Sequence, residues 1–193
     1  MAIGNFITIV SGLPRSGTSM MMRMMEAGGL QVLVDHVRQP NEDNPKGYYE
    51  FEPVKQTKKD AAWVQTAPGK AVKLVYRLLY DLPAGFEYRV IFMRRNLDEV
   101  LASQKVMLVR DGRVNPAVQD EQIAKLFKSE LAQFEAWIAK QPSFKMLEVN
   151  YNGLLASPAE QVGEINSFLG GTLNVEAMAQ VVDPTLYRNR ASS

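Results

Sequence analysis

Phe6-Ile7-Thr8-Ile9-Val10-Ser11-Gly12-Leu13-Pro14-Arg15-Ser16-Gly17-Thr18-Ser19 joins a β-branched apolar run to a polar loop that contains two glycines. The run from Phe6 to Val10, bounded by Asn5 and Ser11-Gly12, has the pattern of a strand buried on both faces. Beyond the loop a helix is predicted from about Gly17 to Ala27, closed by Gly28-Gly29, a pair suited to the left-handed residue that ends helices. The first amides of such a helix have no intrahelical partner and carry the positive end of its dipole, so an anion belongs there. Gly17 lets a phosphate approach the backbone, Thr18 and Ser19 add hydroxyls, and Arg15, held between Pro14 and Ser16, supplies a full positive charge. An ordinary turn would use the same hydroxyls only as helix caps. Met20, Met21, Met22, Met24 and Met25, which follow, are expected to be adaptable core packing.

Outside this unit the chain alternates in the same way. Ala71 to Tyr76 and Tyr88 to Met93 read as inner strands of a parallel sheet, and Phe144 to Val149 as a fourth strand. Helices are predicted from about Leu97 to Val109, stopping at Asp111-Gly112, and from about Asp120 to Lys140. Another is opened by Ser157-Pro158, with Glu160 completing a capping box, and closes at Gly170-Gly171. Gln39 to Glu52 is polar and turn-rich, a long surface loop of the kind that carries function. Alternating strands and helices predict an α/β fold, a three-layer sandwich around a mostly parallel sheet, with ligands beyond the carboxyl ends of the strands.

At 193 residues with 46% hydrophobic content and no interdomain linker, one domain over residues 1–193 is expected. The 22 basic and 21 acidic side chains leave a net charge of +1, so no overall field recruits nucleic acid or an anionic membrane, and any anion site must be local. No cysteine is present, which excludes disulfides and thiolate metal sites. The N-terminal stretch lacks a basic segment and no apolar run is long enough to span a bilayer, so a cytoplasmic location is expected.

The usual nucleotide loop places Lys after its second glycine, but here Thr18 follows Gly17 and the basic residue lies inside the loop. A second element follows the strand ending at Met93: Arg94-Arg95-Asn96, with Ser103 seven residues beyond Asn96, about two helical turns and so on nearly the same face. The core strand ends in arginines where a phosphotransferase would often place a magnesium-binding Asp. PRSGTS resembles the PKSGT-type loop of sulfotransferases, and the Arg95-to-Ser103 spacing is similar to the element that holds the donor's 3′-phosphate in that family. The resemblance implies a P-loop nucleotide-hydrolase-like fold, 3′-phosphoadenosine 5′-phosphosulfate as co-substrate, no metal, and a small-molecule or carbohydrate acceptor carrying a hydroxyl or amine. It implies donor contacts from Pro14, Arg15, Ser16, Gly17, Thr18, Ser19, Arg95 and Ser103.

The segment from Val149-Asn150-Tyr151 to Phe168-Leu169-Gly170 looks like the family's later strand-and-helix segment, which carries an adenine-side role to Tyr151. Leu186 to Arg190 looks like a shortened form of its basic loop, with Arg188 and Arg190 near the 3′-phosphate. Two departures stand out. Lys73 falls on the family's catalytic lysine, but Val75 stands where its histidine base would be, and Met20 replaces a tryptophan near the adenine. Glu50 and Glu52 are therefore the leading base candidates, with His36 as the alternative. Tyr48, Tyr49, Phe51 and Trp63 are candidates to line an acceptor pocket. Two other classes remain open: a nucleotide-binding module without turnover, and a P-loop kinase. The kinase would need magnesium and the missing lysine.

Overall fold

The computed structural model describes residues 4–42, 44–110, 112 and 120–183; Arg188 and Arg190 lie outside the described residues. Five strands form one parallel sheet: β1 (Ile7–Gly12), β2 (Gln31–Leu33), β3 (Lys70–Lys73), β4 (Tyr88–Arg94) and β5 (Phe144–Asn150), in the order β2-β3-β1-β4-β5. The described helices are α1 (Thr18–Ala27), α2 (Leu97–Arg110), α3 (Asp120–Ile138), α4 (Tyr151–Ala156), α5 (Pro158–Phe168) and α6 (Val175–Gln180).

Alternation along the strands builds two cores, one on each face of the sheet. Ile91 and Met93 of β4 join the five methionines of α1 and the inner residues of α4, α5 and α6. Tyr88, Val90 and Phe92 face the other way, onto Phe134 and Ile138 of α3, Val100 of α2 and the residues of three 3-10 turns. These are the three layers expected, and the methionines are core packing: four are fully buried and Met20 is 8% exposed.

The departures from expectation are local. β2 is a three-residue edge strand whose side chains are only partly buried, so it gives no apolar run to read. β3 ends at Lys73 instead of continuing to Tyr76, because Tyr76–Asp81 turns into a 3-10 helix that buries Tyr76 and Leu79. Ser157 precedes α5 as its cap residue and Pro158 sits in its first turn, yet the serine side chain makes no capping bond. A helix earlier than expected, α4, starts directly at Tyr151, capped by Asn150 Oδ1, which accepts from the Gly153 amide at 2.9 Å.

Register brings the functional stretches together. Val10 pairs with Lys73, Gly12 with Met93, and Arg94 with Asn150, so the loop after β1, the end of β3, Arg95 and Tyr151 all emerge at one edge of the sheet. The chain leaves β1 toward β3 and β2, and leaves β4 toward β5, which opens a crevice between the ends of β1 and β4.

Candidate active site

The loop from Gly12 to Gly17 is shaped by close approaches that only particular residues permit. Ser16 folds back on the loop, its amide and its hydroxyl both donating to the Leu13 carbonyl, at 3.3 and 2.7 Å. A Cβ on Gly12 would stand 2.6 Å from Ser16 Oγ and 2.7 Å from the Met93 carbonyl oxygen. Gly17 has a φ of 97°, and a Cβ there would stand 2.4 Å from Tyr151 Cδ2. Gly17→Ala is therefore expected to lower stability by about 3 kcal/mol, strain and overlap together. Thermal melts check this, and adding Tyr151→Ala, which removes the obstructing ring, is expected to reduce the cost of the alanine.

The first intrahelical bond of α1 runs from the Met21 amide to the Gly17 carbonyl at 3.1 Å, so the amides of Thr18, Ser19 and Met20 precede it. Arg15, at a left-handed φ of 68°, bridges the crevice. Its Nε donates to Ser103 Oγ at 2.9 Å, and its carbonyl accepts from Arg95 Nη1 at 3.1 Å. Arg95 in turn pairs with Glu99 at 2.9 Å, both side chains under 10% exposed, and lies 4.7 Å over the ring of Tyr151. Asn152 donates to the other Glu99 oxygen at 3.3 Å. Burial raises the Tyr151 phenol above its usual value, against the pull of Arg95.

Lys73 stands at the end of β3, donating to the Tyr48 carbonyl and, at 3.4 Å, to Ser19 Oγ. Burial pulls its amine down to about 8, opposed by the charge of Glu50. Because the folded value lies below the unfolded one, the unfolded chain binds the proton more tightly between them, and stability gains a contribution as pH rises from about 8 to about 10.5. The stability difference between wild type and Lys73→Met, measured by denaturant melts across that window, is expected to shift in favour of wild type with rising pH.

These groups line one cavity of about 460 Å³ at the sheet edge. Pro14, Arg15, Gly17, Thr18, Ser19, Lys73, Arg95, Ser103 and Tyr151 reach it; Ser16, 1% exposed, shapes the loop from behind. Glu50 lines the cavity, with Arg38 Nη1 at 2.8 Å and Lys55 Nζ at 3.7 Å from its oxygens. Glu52 and His36 do not line it: Glu52 pairs with Lys55 at 2.5 Å, and His36 is exposed beside a separate, smaller depression. Of the aromatic candidates, Tyr48 and Phe51 line the cavity, whereas Trp63 is core, its Nε1 donating to Thr57 Oγ1 at 3.0 Å. Leu13, Phe51, Val54, Leu74 and Leu78 form an apolar wall continuous with the second core.

Two residues of this site were passed over in the motif reading. Glu99 stands three residues after Asn96, where it reads as part of a helix start, although its place four residues after Arg95 is also the spacing of a helical ion pair. Arg23 also lines the cavity, and its signal was a lone cation inside a methionine run.

The chain matches the sequence model of the sulfotransferase domain family over residues 7–191. Among solved structures it is similar to the sulfotransferase domain from the curacin biosynthetic pathway, at 16% identity over 92% of this chain and 78% of that one, with a TM-score of 0.55. It is also similar to sulfotransferase STF1 from Mycobacterium tuberculosis, at 17% identity over 94% and 71%, with a TM-score of 0.61. Retinol dehydratase in complex with androsterone and inactive cofactor PAP gives 14% identity over 92% and 63%, with a TM-score of 0.50. At these identities the likeness is one of fold. No curated protein sequence matches the chain.

Proposed function

Because the chain belongs to the sulfotransferase domain family, we propose that it is a sulfotransferase drawing on 3′-phosphoadenosine 5′-phosphosulfate, with a hydroxyl on a small acceptor as the target. The observation that carries the donor reading is the meeting of Arg15, Arg95 and Ser103, from separate stretches of chain, across the crevice between β1 and β4. The loop fits a phosphate: Gly12 and Gly17 let Ser16, Met93 and Tyr151 close against its backbone, and the amides of residues 18–20 precede the first helical bond. No described helix is long and apolar enough to cross a membrane.

The donor, when bound, supplies an activated sulfuryl group on a 5′-phosphate. Arg15 and the amides at the start of α1 stabilise charge that builds on that phosphate. Lys73, held by the Tyr48 carbonyl beside Ser19, adds a positive group on the same side of the cavity. Glu50, held by Arg38 and Lys55 and reaching the cavity, is the side chain placed to accept the acceptor's proton, a role for which Val75 offers no chemistry. The sulfuryl group carries less charge than a phosphoryl group, so protein cations can perform this stabilisation. The apolar wall from Leu13 to Leu78 suits an acceptor with an apolar body beside its hydroxyl.

The test is a calorimetric titration with adenosine 3′,5′-bisphosphate in metal-free buffer, beside ATP with magnesium. Tight binding of the bisphosphate with ATP silent supports the donor assignment; silence toward the bisphosphate overturns it. Glu50→Gln is then assayed on an acceptor that wild type turns over, and undiminished turnover removes the carboxylate from the base role. Binding without turnover on any hydroxyl acceptor favours the nucleotide-binding module.

A further inference from the structure

Arg23 is the one charged residue between Met20 and Met25, and the five methionines around it are buried in the first core. It lines the same cavity as Arg15, Arg95 and Tyr151. Its Nε is buried and has no hydrogen-bond partner among the described residues. Burial pulls the guanidinium below its usual value, against the opposing influence of Tyr49, Asp183 and Tyr151. Two of those neighbours are engaged: the Tyr49 hydroxyl donates to Glu26 Oε2 at 2.5 Å, and Asp183 accepts from Lys46 at 2.8 Å.

A desolvated cation with an unmet donor destabilises the free protein. Its setting adds to this. Helical side chains lean toward the N-terminus, so Arg23 leans toward the positive end of α1, where Arg15 already stands. Arg95, Arg15 and Arg23 all bear on the phenol of Tyr151. Arg95 is braced by Glu99 and Arg15 by Ser103, whereas the buried Nε of Arg23 has no acceptor among the described residues. The amides of α1 and Arg15 suffice for one phosphate; three guanidiniums lining one cavity suit a ligand with a second.

Resting on the donor reading above, we propose that Arg23 is a recognition residue for the nucleotide's 3′-phosphate, acting beside Arg95 and Ser103. The residue thereby separates a 3′,5′-bisphosphate from a nucleotide that carries only the 5′-phosphate.

Wild type, Arg23→Met and Arg23→Lys are titrated with adenosine 3′,5′-bisphosphate and with AMP up to millimolar concentration, and each is melted without ligand. Arg23→Met is expected to weaken the bisphosphate by roughly tenfold to a hundredfold and to leave AMP within about twofold. Its ligand-free melting temperature is expected to equal or exceed that of wild type, since methionine continues the apolar run. Arg23→Lys restores part of the affinity. Equal losses on both nucleotides, unchanged affinity for the bisphosphate, or a ligand-free Arg23→Met that melts lower with no change in nucleotide preference each overturn the assignment. If wild type binds the bisphosphate and Arg23→Met binds it equally well, only this inference falls. If wild type does not bind it, the donor reading falls and takes this one with it.

Discussion

Arg15→Ala is expected to weaken binding of adenosine 3′,5′-bisphosphate by about a hundredfold or more, the equivalent of ~3 kcal/mol, and to lower sulfuryl transfer at least as far. Two losses combine. The guanidinium that faces the cavity from the loop after β1 disappears, and so does the 2.9 Å bond from its Nε that holds Ser103 at the crevice. A bystander role is separable from a binding role through the backbone. Residue 15 sits at a φ of 68°, which disfavours alanine as much as arginine and is natural for glycine. Arg15→Gly is therefore expected to melt above Arg15→Ala, by about 1 kcal/mol in stability and a few degrees, while both lose the ligand. If Arg15→Ala binds the bisphosphate as wild type does, the phosphate loop is not the donor site.

Glu99→Ala is expected to be the most destabilising single substitution in the site, costing about 3–5 kcal/mol, because it strips the paired carboxylate from Arg95 in a place where little water reaches. For a chain of this size that is on the order of 10 °C in melting temperature. The pair is coupled, so Arg95→Met with Glu99→Leu is expected to be less unstable than Glu99→Ala alone: two apolar side chains leave no buried charge behind. The double substitution still loses the bisphosphate, since Arg95 is gone. A chemical-denaturation series with the single and double substitutions decides this, and additive losses would show that the two side chains do not act as a pair.

Agreement between sequence and structure was closest where signals are local and repeat with the period of the backbone. β1, β4 and α1 were legible because a buried strand needs consecutive apolar residues and a loop that ends at a helix needs glycine and hydroxyls at set places. β2 was not, since an edge strand of three half-buried residues carries no periodic pattern. Asn150 and Asn152, on either side of Tyr151, have no role in the motifs of the sequence. Their uses, capping α4 and bonding Glu99, depend on neighbours 3 and 53 residues away. Glu50, Glu52 and His36 all have side chains able to take a proton, and which of them reaches the cavity depends on how the loop from Asp35 to Glu52 folds. Asp35 binds the Glu52 amide there and Lys73 binds the Tyr48 carbonyl.

By itself the sequence determined the layered α/β plan, the glycine-containing loop after β1 with its Arg15, and Arg95 just beyond β4, since each is written in residues a few positions apart. Only the tertiary structure decided that Arg15 leans on Ser103, that Arg95 is braced by Glu99 and lies over Tyr151, and that Arg23 joins them. Those contacts are made across the sheet edge by strand register, and register follows from burial of both faces of the sheet together, which no local stretch of sequence contains.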